Sequence, residues 1–167
     1  MKDDAFALQT FQVEALPIPK AEGATAERVT ELAEALRSMA ADRDEAASKF
    51  LHDATEKYGL LSRPKRLRTY WKLGSKAFVD LLRKGGLRTP TAAAQAELLR
   101  EFRQRRDHMR KLLNRFYRLE IELHHKVFDL YRLAPEEIRL LRETAPPRDP
   151  LRLAEAELAS LEREVDE

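Results

Sequence analysis

The chain has 167 residues, 31 Lys and Arg against 29 Asp and Glu, and no Cys. That length fits one domain or one helical unit with tails; it is too short for a methyltransferase or kinase domain with further modules, and the missing Cys excludes disulfide scaffolds and Cys-ligated zinc. Ala, Glu, Lys, Leu and Arg make up about 59% of the chain while Val and Ile together number 8, a mixture that favours long helices over sheets.

The first segment, residues 5–18, has apolar Phe11, Val13 and Ala15 in alternation. It fits a short strand or an extended run into Pro17. A lone strand is not stable, so it needs partners from elsewhere. Pro17, Pro19 and Gly23 close the segment. A helix is then predicted from Thr25, a usable N-cap, to Tyr58 or Gly59. Its seam runs through Val29, Leu32, Leu36 and Met39, is broken by Arg43, and resumes at Ala46 and Phe50. Residues 60–70 read as a basic linker. A short helix follows Ser75, with Phe78, Leu81 and Leu82 apolar, and stops at Gly85 and Gly86. Trp71 is read as core packing against that helix.

The longest helix begins after Thr91. If continuous from Ala92 to Leu133 it is roughly 60 Å long at ~1.5 Å per residue. Leu98, Phe102, Met109, Leu112, Phe116, Leu119, Leu123, Val127 and Leu130 line its seam, which needs an antiparallel partner; the first helix is the candidate. Arg100, Arg103, Arg106 and Arg110 recur at spacings of three and four and predict a positive ridge along one flank. Pro135, followed by Glu136 and Glu137, opens a short helix through Ile138 and Leu141. Asp149 and Pro150 open a last amphipathic helix through Leu151, Ala154, Leu158, Leu161 and Val165. The expected fold is all-α: a long antiparallel helical hairpin or coiled coil with shorter packed helices and one short N-terminal strand at most.

Catalytic chemistry is hard to place on this chain. It has no GxGxxG and no GxxxxGK(S/T) loop to cradle phosphates. Its histidines are His52, His108, His124 and His125; the last two are adjacent and point ~100° apart on a helix, so they do not share a metal. The carboxylate pairs Asp42/Asp44 and Glu136/Glu137 fall at helix surfaces or caps. The expectation is no catalytic residue, no metal and no cofactor in this chain. The longest uncharged run is nine residues, Ala5 to Val13, too short for a membrane span, and the MKDD start lacks a signal-peptide pattern. A cytoplasmic protein without a membrane partner is the expectation.

The charge is unevenly spread. Residues 1–57 hold 7 basic and 12 acidic groups, residues 58–118 hold 17 and 4, and residues 119–167 hold 7 and 13. A central block at +13 suggests a polyanion partner; the plainer reading is a solvated face paired with the acidic ends. Arg63, Lys65, Arg66, Arg68, Lys72 and Lys76 follow one another without an intervening acid and interleave with Tyr70 and Trp71. With Arg103, Arg106 and Arg110 they are the candidate nucleic-acid contacts, since such cations bind phosphate whatever the base sequence.

Two stretches carry a family resemblance. Residues 11–36 contain Leu16-Pro17-Ile18-Pro19 followed by Arg28, Val29 and Leu32. They resemble the exit of a target-recognition domain in restriction-modification proteins, where a strand runs into a Leu-Pro-Ile-Pro element and a long helix. Residues 119–143, with Val127, Leu130, Tyr131, Leu133, Glu136, Glu137 and Ile138, are similar to the C-terminal signature of DNA adenine methyltransferases that carry their own specificity domain. Tyr70, Trp71, Phe78 and Leu81 resemble the stretch between those elements. Phe128, Arg132 and Ala134 depart from it, standing where that family has Tyr, Gly and a Thr or Ser cap. The resemblance covers about residues 9–143.

That family transfers a methyl group from S-adenosylmethionine to adenine in DNA. The Asn/Asp-Pro-Pro-Tyr/Phe loop and the cofactor loop for that work are not in this sequence. The resemblance therefore implies a non-catalytic C-terminal specificity or docking module of a restriction or phage-defence system. Its implied partners are double-stranded DNA and a methyltransferase catalytic domain or subunit. Residues 1–23 become the end of a recognition-domain-like segment, 24–143 a helical module, and 144–167 a C-terminal amphipathic helix. The rival reading is a helical coiled-coil scaffold or protein-interaction module with no nucleic-acid role.

Overall fold

A computed structural model describes residues 19, 23–58, 65–87, 91–144 and 149–163. The strand expected within residues 5–18 lies outside them. Helix α1 (Gly23–Tyr58) begins two residues before the expected Thr25 cap, with Gly23 at φ +63°. A 3-10 helix (Lys65–Lys72) leads into α2 (Ser75–Lys84), α3 (Ala92–Leu130), α4 (Pro135–Thr144) and α5 (Pro150–Glu162). Among the described residues the fold is all-α.

Helices α1 and α3 form the antiparallel hairpin that their seams predict. Arg28, early in α1, reaches Glu122, late in α3, at 2.7 Å; Asp53 and Lys57, late in α1, meet Arg105 at 2.6 Å and Glu101 at 2.8 Å. From α1 the seam residues Leu32, Met39, Phe50 and Ala54 are buried. From α3 the buried apolar residues are Leu98, Phe102, Met109 and Leu113. Each such Leu, Met or Phe side chain contributes about 1.5–3 kcal/mol on leaving water. Helix α5 also lies along α3, burying Leu151, Ala154 and Leu161, and Leu161 joins the main core cluster. The C-terminal amphipathic helix is thus part of the same helical body.

Residues 65–70 are a core element rather than a linker. A 3-10 helix has three residues per turn, so positions three apart share a face. Leu67, Tyr70 and the following Leu73 keep that spacing, and all three are buried. Basic residues take the two remaining rows: Lys65 and Arg68 ahead of Trp71 in one, Arg66 and Lys72 on either side of Thr69 in the other. A kink at Thr69 (φ −121°, ψ 41°) interrupts the run without turning Tyr70 outward.

Four aromatic rings from four elements tie this end together. Tyr70 of the 3-10 helix stacks on Phe50 of α1 at 3.9 Å, Phe50 meets Phe78 of α2 at 5.9 Å, and Phe78 stacks on Phe102 of α3 at 4.0 Å. Such contacts add about 0.5–1.5 kcal/mol each beyond area burial.

The helix ends follow from local chemistry. Thr91 caps α3, its Oγ1 accepting from the Ala94 N–H at 3.3 Å. Asp149 caps α5, accepting from the Leu151 N–H at 3.1 Å, with Pro150 in the first turn. Helix α2 closes with a hydrogen bond from the Leu87 N–H to the Leu82 carbonyl, around Gly86 at φ +99°. Helix α3 ends in the same way at Leu130, three residues short of the predicted Leu133. The Leu133 N–H donates to the Phe128 carbonyl at 3.1 Å around Arg132, whose φ is +52°. Both are Schellman closures, in which one left-handed residue lets two amides return to the last turn.

Candidate nucleic-acid interface

The nine candidate cations part company in the structure. Arg63 lies outside the described residues. Lys65, Arg66 and Arg68 are exposed on the outer rows of the 3-10 helix, and Lys76 is exposed on α2. Rigidity comes from the third row: Leu67 and Tyr70 are locked in the core, so the cations stand on a fixed base. Arg103 reaches the start of α2, its Nε donating to Ser75 Oγ at 3.4 Å. That contact brings the α3 flank beside Lys76.

The other three are taken up inside the protein. Lys72 pairs with Glu157 of α5 at 2.7 Å. Arg106 is buried, with its guanidinium 5.6 Å from the Phe102 ring centre and its Nε donating to Asp107 at 3.3 Å. Arg110 donates through Nη2 to the Leu161 carbonyl and, at 2.6 Å, to the Arg163 carbonyl. It thereby neutralises the negative end of the α5 dipole. The expected ridge of Arg103, Arg106 and Arg110 is not one exposed row. Arg106 and Arg110 stand four and eight residues beyond Phe102 and share its face, which the fold covers.

The outer face of α3 supplies two cations outside the predicted ridge. Lys111 and Arg115 are exposed, with Arg100 of that ridge, opposite the Leu98–Met109 seam. Taking the face opposite the apolar stripe, instead of the run of arginines, would have found Lys111 and Arg115. The acidic ends do reach into the basic block: Glu157 takes Lys72, Asp53 takes Arg105 and Glu162 takes Arg118. Surface pairs of this kind are worth about 0–1 kcal/mol. They leave Lys65, Arg66, Arg68 and Lys76 without an ion pair among the described residues.

Perturbed groups occur on the 3-10 helix and along the second half of α3. Burial pushes the Tyr70 hydroxyl up to about 12, against a smaller downward pull from Arg105. Burial also raises Tyr117 and Glu120, each opposed by Arg43. Burial lowers His124, and the charge on Asp149 opposes that. Among the described residues no three His, Asp or Glu side chains gather as metal ligands, and no helix is long and apolar enough to cross a membrane.

A family described as "Domain of unknown function (DUF8810)" matches residues 22–127, which take in α1, the 3-10 helix, α2 and most of α3. No curated protein and no solved structure matches the chain.

Proposed function

We propose that this chain, which belongs to the DUF8810 family, is a non-catalytic DNA-docking module that works beside a DNA adenine methyltransferase of a restriction or phage-defence system. The observation that carries the reading is the 3-10 helix. It clamps one row in the core and holds Lys65, Arg66 and Arg68 outward, and α2, which follows it directly in the chain, exposes Lys76. Cations held this way meet a phosphate backbone without losing side-chain packing, and they carry no base specificity of their own. Base readout and methyl transfer then belong to the partner. The methyltransferase half of the reading rests on the resemblance of residues 119–143; Arg132, a departure from that family's Gly, keeps the left-handed closing turn there.

Duplex binding measured by fluorescence anisotropy across a salt series tests the reading. Affinity is expected to fall steeply as salt rises, because each neutralised phosphate releases counterions. Replacing Lys65, Arg66 and Lys76 together with Ser is expected to lower the log–log salt slope by about 0.9 per lost contact. No binding at low salt, or binding indifferent to salt, overturns it.

Leu140 at 60% exposure, Leu153 at 53%, and Leu141 and Tyr131 at 47% each favour a second reading. There the chain is a helical protein-interaction module that pairs with a second copy through α4 and α5 and ignores nucleic acid. Light scattering showing a stable dimer that is inert toward DNA would select it.

A further inference from the structure

The seam of α1 carries one residue that an apolar stripe should not. Arg43 stands four residues after buried Met39 and seven before buried Phe50, on the face turned toward α3. Its guanidinium lies 5.9 Å from the Phe116 ring centre, and its ion pair is with the neighbouring Asp44 at 2.8 Å, a carboxylate 71% exposed. An apolar side chain here would close the seam. With arginine, an open groove of about 620 Å³ remains between α1, the 3-10 helix and α3, within the size range of small-ligand sites.

The walls of this groove have a definite chemistry. Arg43 enters it from α1 with the exposed Asp44 carboxylate beside it, and Arg68 from the 3-10 helix; Trp71 lies one 3-10 turn after Arg68 in the same row, and Tyr117 comes from α3. Leu51 and Leu113 add apolar surface between them. Arg68 is exposed and has no ion pair among the described residues, and both aromatic side chains are half-buried. The free cations of the outer face, Lys65 and Arg66, belong to the same short element as Arg68 and Trp71. Aromatic faces beside guanidinium groups are the means by which proteins hold unpaired bases and their phosphates. A paired duplex is too wide to enter between packed helices.

We propose that this groove holds one unpaired nucleotide of a nucleic-acid strand, its base against Trp71 and Tyr117 and its phosphate on Arg43 and Arg68. The proposal rests on the DNA-docking reading for the source of that nucleotide. Within that reading it adds a site for a single-stranded end or bubble next to the face that meets the duplex.

Trp71 is the single tryptophan of the chain, so its emission reports on the groove. The full chain is titrated with a short oligothymidylate, a blunt duplex of equal length, and thymidine monophosphate. The single strand is expected to quench Trp71 and the blunt duplex to leave it unchanged. Arg43→Met, which completes the apolar seam, is expected to melt no lower than the parent yet bind the single strand about tenfold more weakly. Arg68→Ala, at an exposed position, provides the same readout without touching the core. Single-strand affinity unchanged in both folded variants, or binding without quenching, overturns the proposal.

The two readings fail separately. Salt-dependent duplex binding with Trp71 indifferent to the single strand removes the groove site and keeps the docking face. Quenching by thymidine monophosphate with neither DNA form bound makes the groove a free-nucleotide site and overturns both the strand as its source and the docking reading. No response to any of the three probes overturns both.

Discussion

The two halves of α3 pack against different company. From Leu98 to Leu113 the helix meets α1, the 3-10 helix, α2 and the C-terminal end of α5, and it buries Leu98, Phe102, Met109 and Leu113 along with Arg106. From Asn114 to Leu130 its neighbours are α1 and α5, and no residue of that stretch is buried. Apolar spacing is more regular in the second half than in the first, where Arg106 interrupts it, so the periodicity of α3 does not explain the difference. The number of elements around it does. Four neighbours enclose the first half, α1, the 3-10 helix and α2 each with an aromatic ring and α5 with Leu161. Two neighbours leave the second half partly wet, and they lead to α4, which has no buried residue at all. The free cations of the 3-10 helix stand on the tightly packed half; the exposed leucines of α4 and α5 gather at the other.

Truncating one apolar side chain at each half is the strongest way to break this contrast. Phe78 is fully buried and stacked on Phe102 at 4.0 Å. Phe78→Ala is expected to cost about 3–5 kcal/mol in urea unfolding, through lost transfer energy and the cavity left behind. Leu123 is half-buried in the second half. Leu123→Ala is expected to cost about 1 kcal/mol, because less apolar surface is covered and the site can collapse. Equal costs would mean that the second half is as well packed as the first.

The contrast also shows what was legible in the sequence and what was not. The seams of α1 and α3, the Thr91 and Asp149 caps and the Gly85–Gly86 stop could be read because each is local: spacing, a capping oxygen, a residue free to turn left-handed. The 3-10 helix was missed because Leu67, Tyr70 and Leu73 repeat every three residues, and among Arg66, Arg68 and Lys72 that pattern passes for a charged linker. The exposed cations of the 3-10 helix and α2 were found from charge alone. Burial of Arg106 follows from its place four residues after Phe102 and was hidden by the arginine spacing, whereas the carbonyl-capping role of Arg110 depends on where α5 lands, which nothing within α3 encodes. Arg43 was visible as a break in the stripe. Its groove appears only when Trp71 and Tyr117 arrive from other elements.

A smaller effect sharpens the same contrast through pH. Tyr70 is enclosed in the tight half, its hydroxyl 3.4 Å from the Arg105 carbonyl, and burial raises its ionisation to about 12. The unfolded chain gives up this proton near pH 10, whereas the folded chain keeps it. Stability from this group is therefore complete below about pH 10 and is lost as pH rises toward 12, a loss of up to roughly 3 kcal/mol. Tyr70→Phe is expected to flatten that alkaline loss in denaturation measured at pH 9 and pH 11. An unchanged alkaline profile would show that Tyr70 is open to water.

The smallest expected effect compares the two helix closures, one in each half. Gly86 holds φ +99° after α2, and Arg132 holds φ +52° after α3. A side chain in the left-handed region crowds its own backbone, at a cost of about 1–2 kcal/mol for an L-residue. Gly86→Ala is therefore expected to destabilise the protein by about 1 kcal/mol. Arg132→Gly relieves strain already present, but it also frees the unfolded chain, which favours unfolding. The net gain expected is about 0.5 kcal/mol, read as a small rise in urea midpoint. A loss instead would mean that the exposed Arg132 side chain contributes more than its strained backbone costs. A gain would mean that arginine stands at this left-handed position, at the exposed end of α3 beside Tyr131, for a reason other than folding.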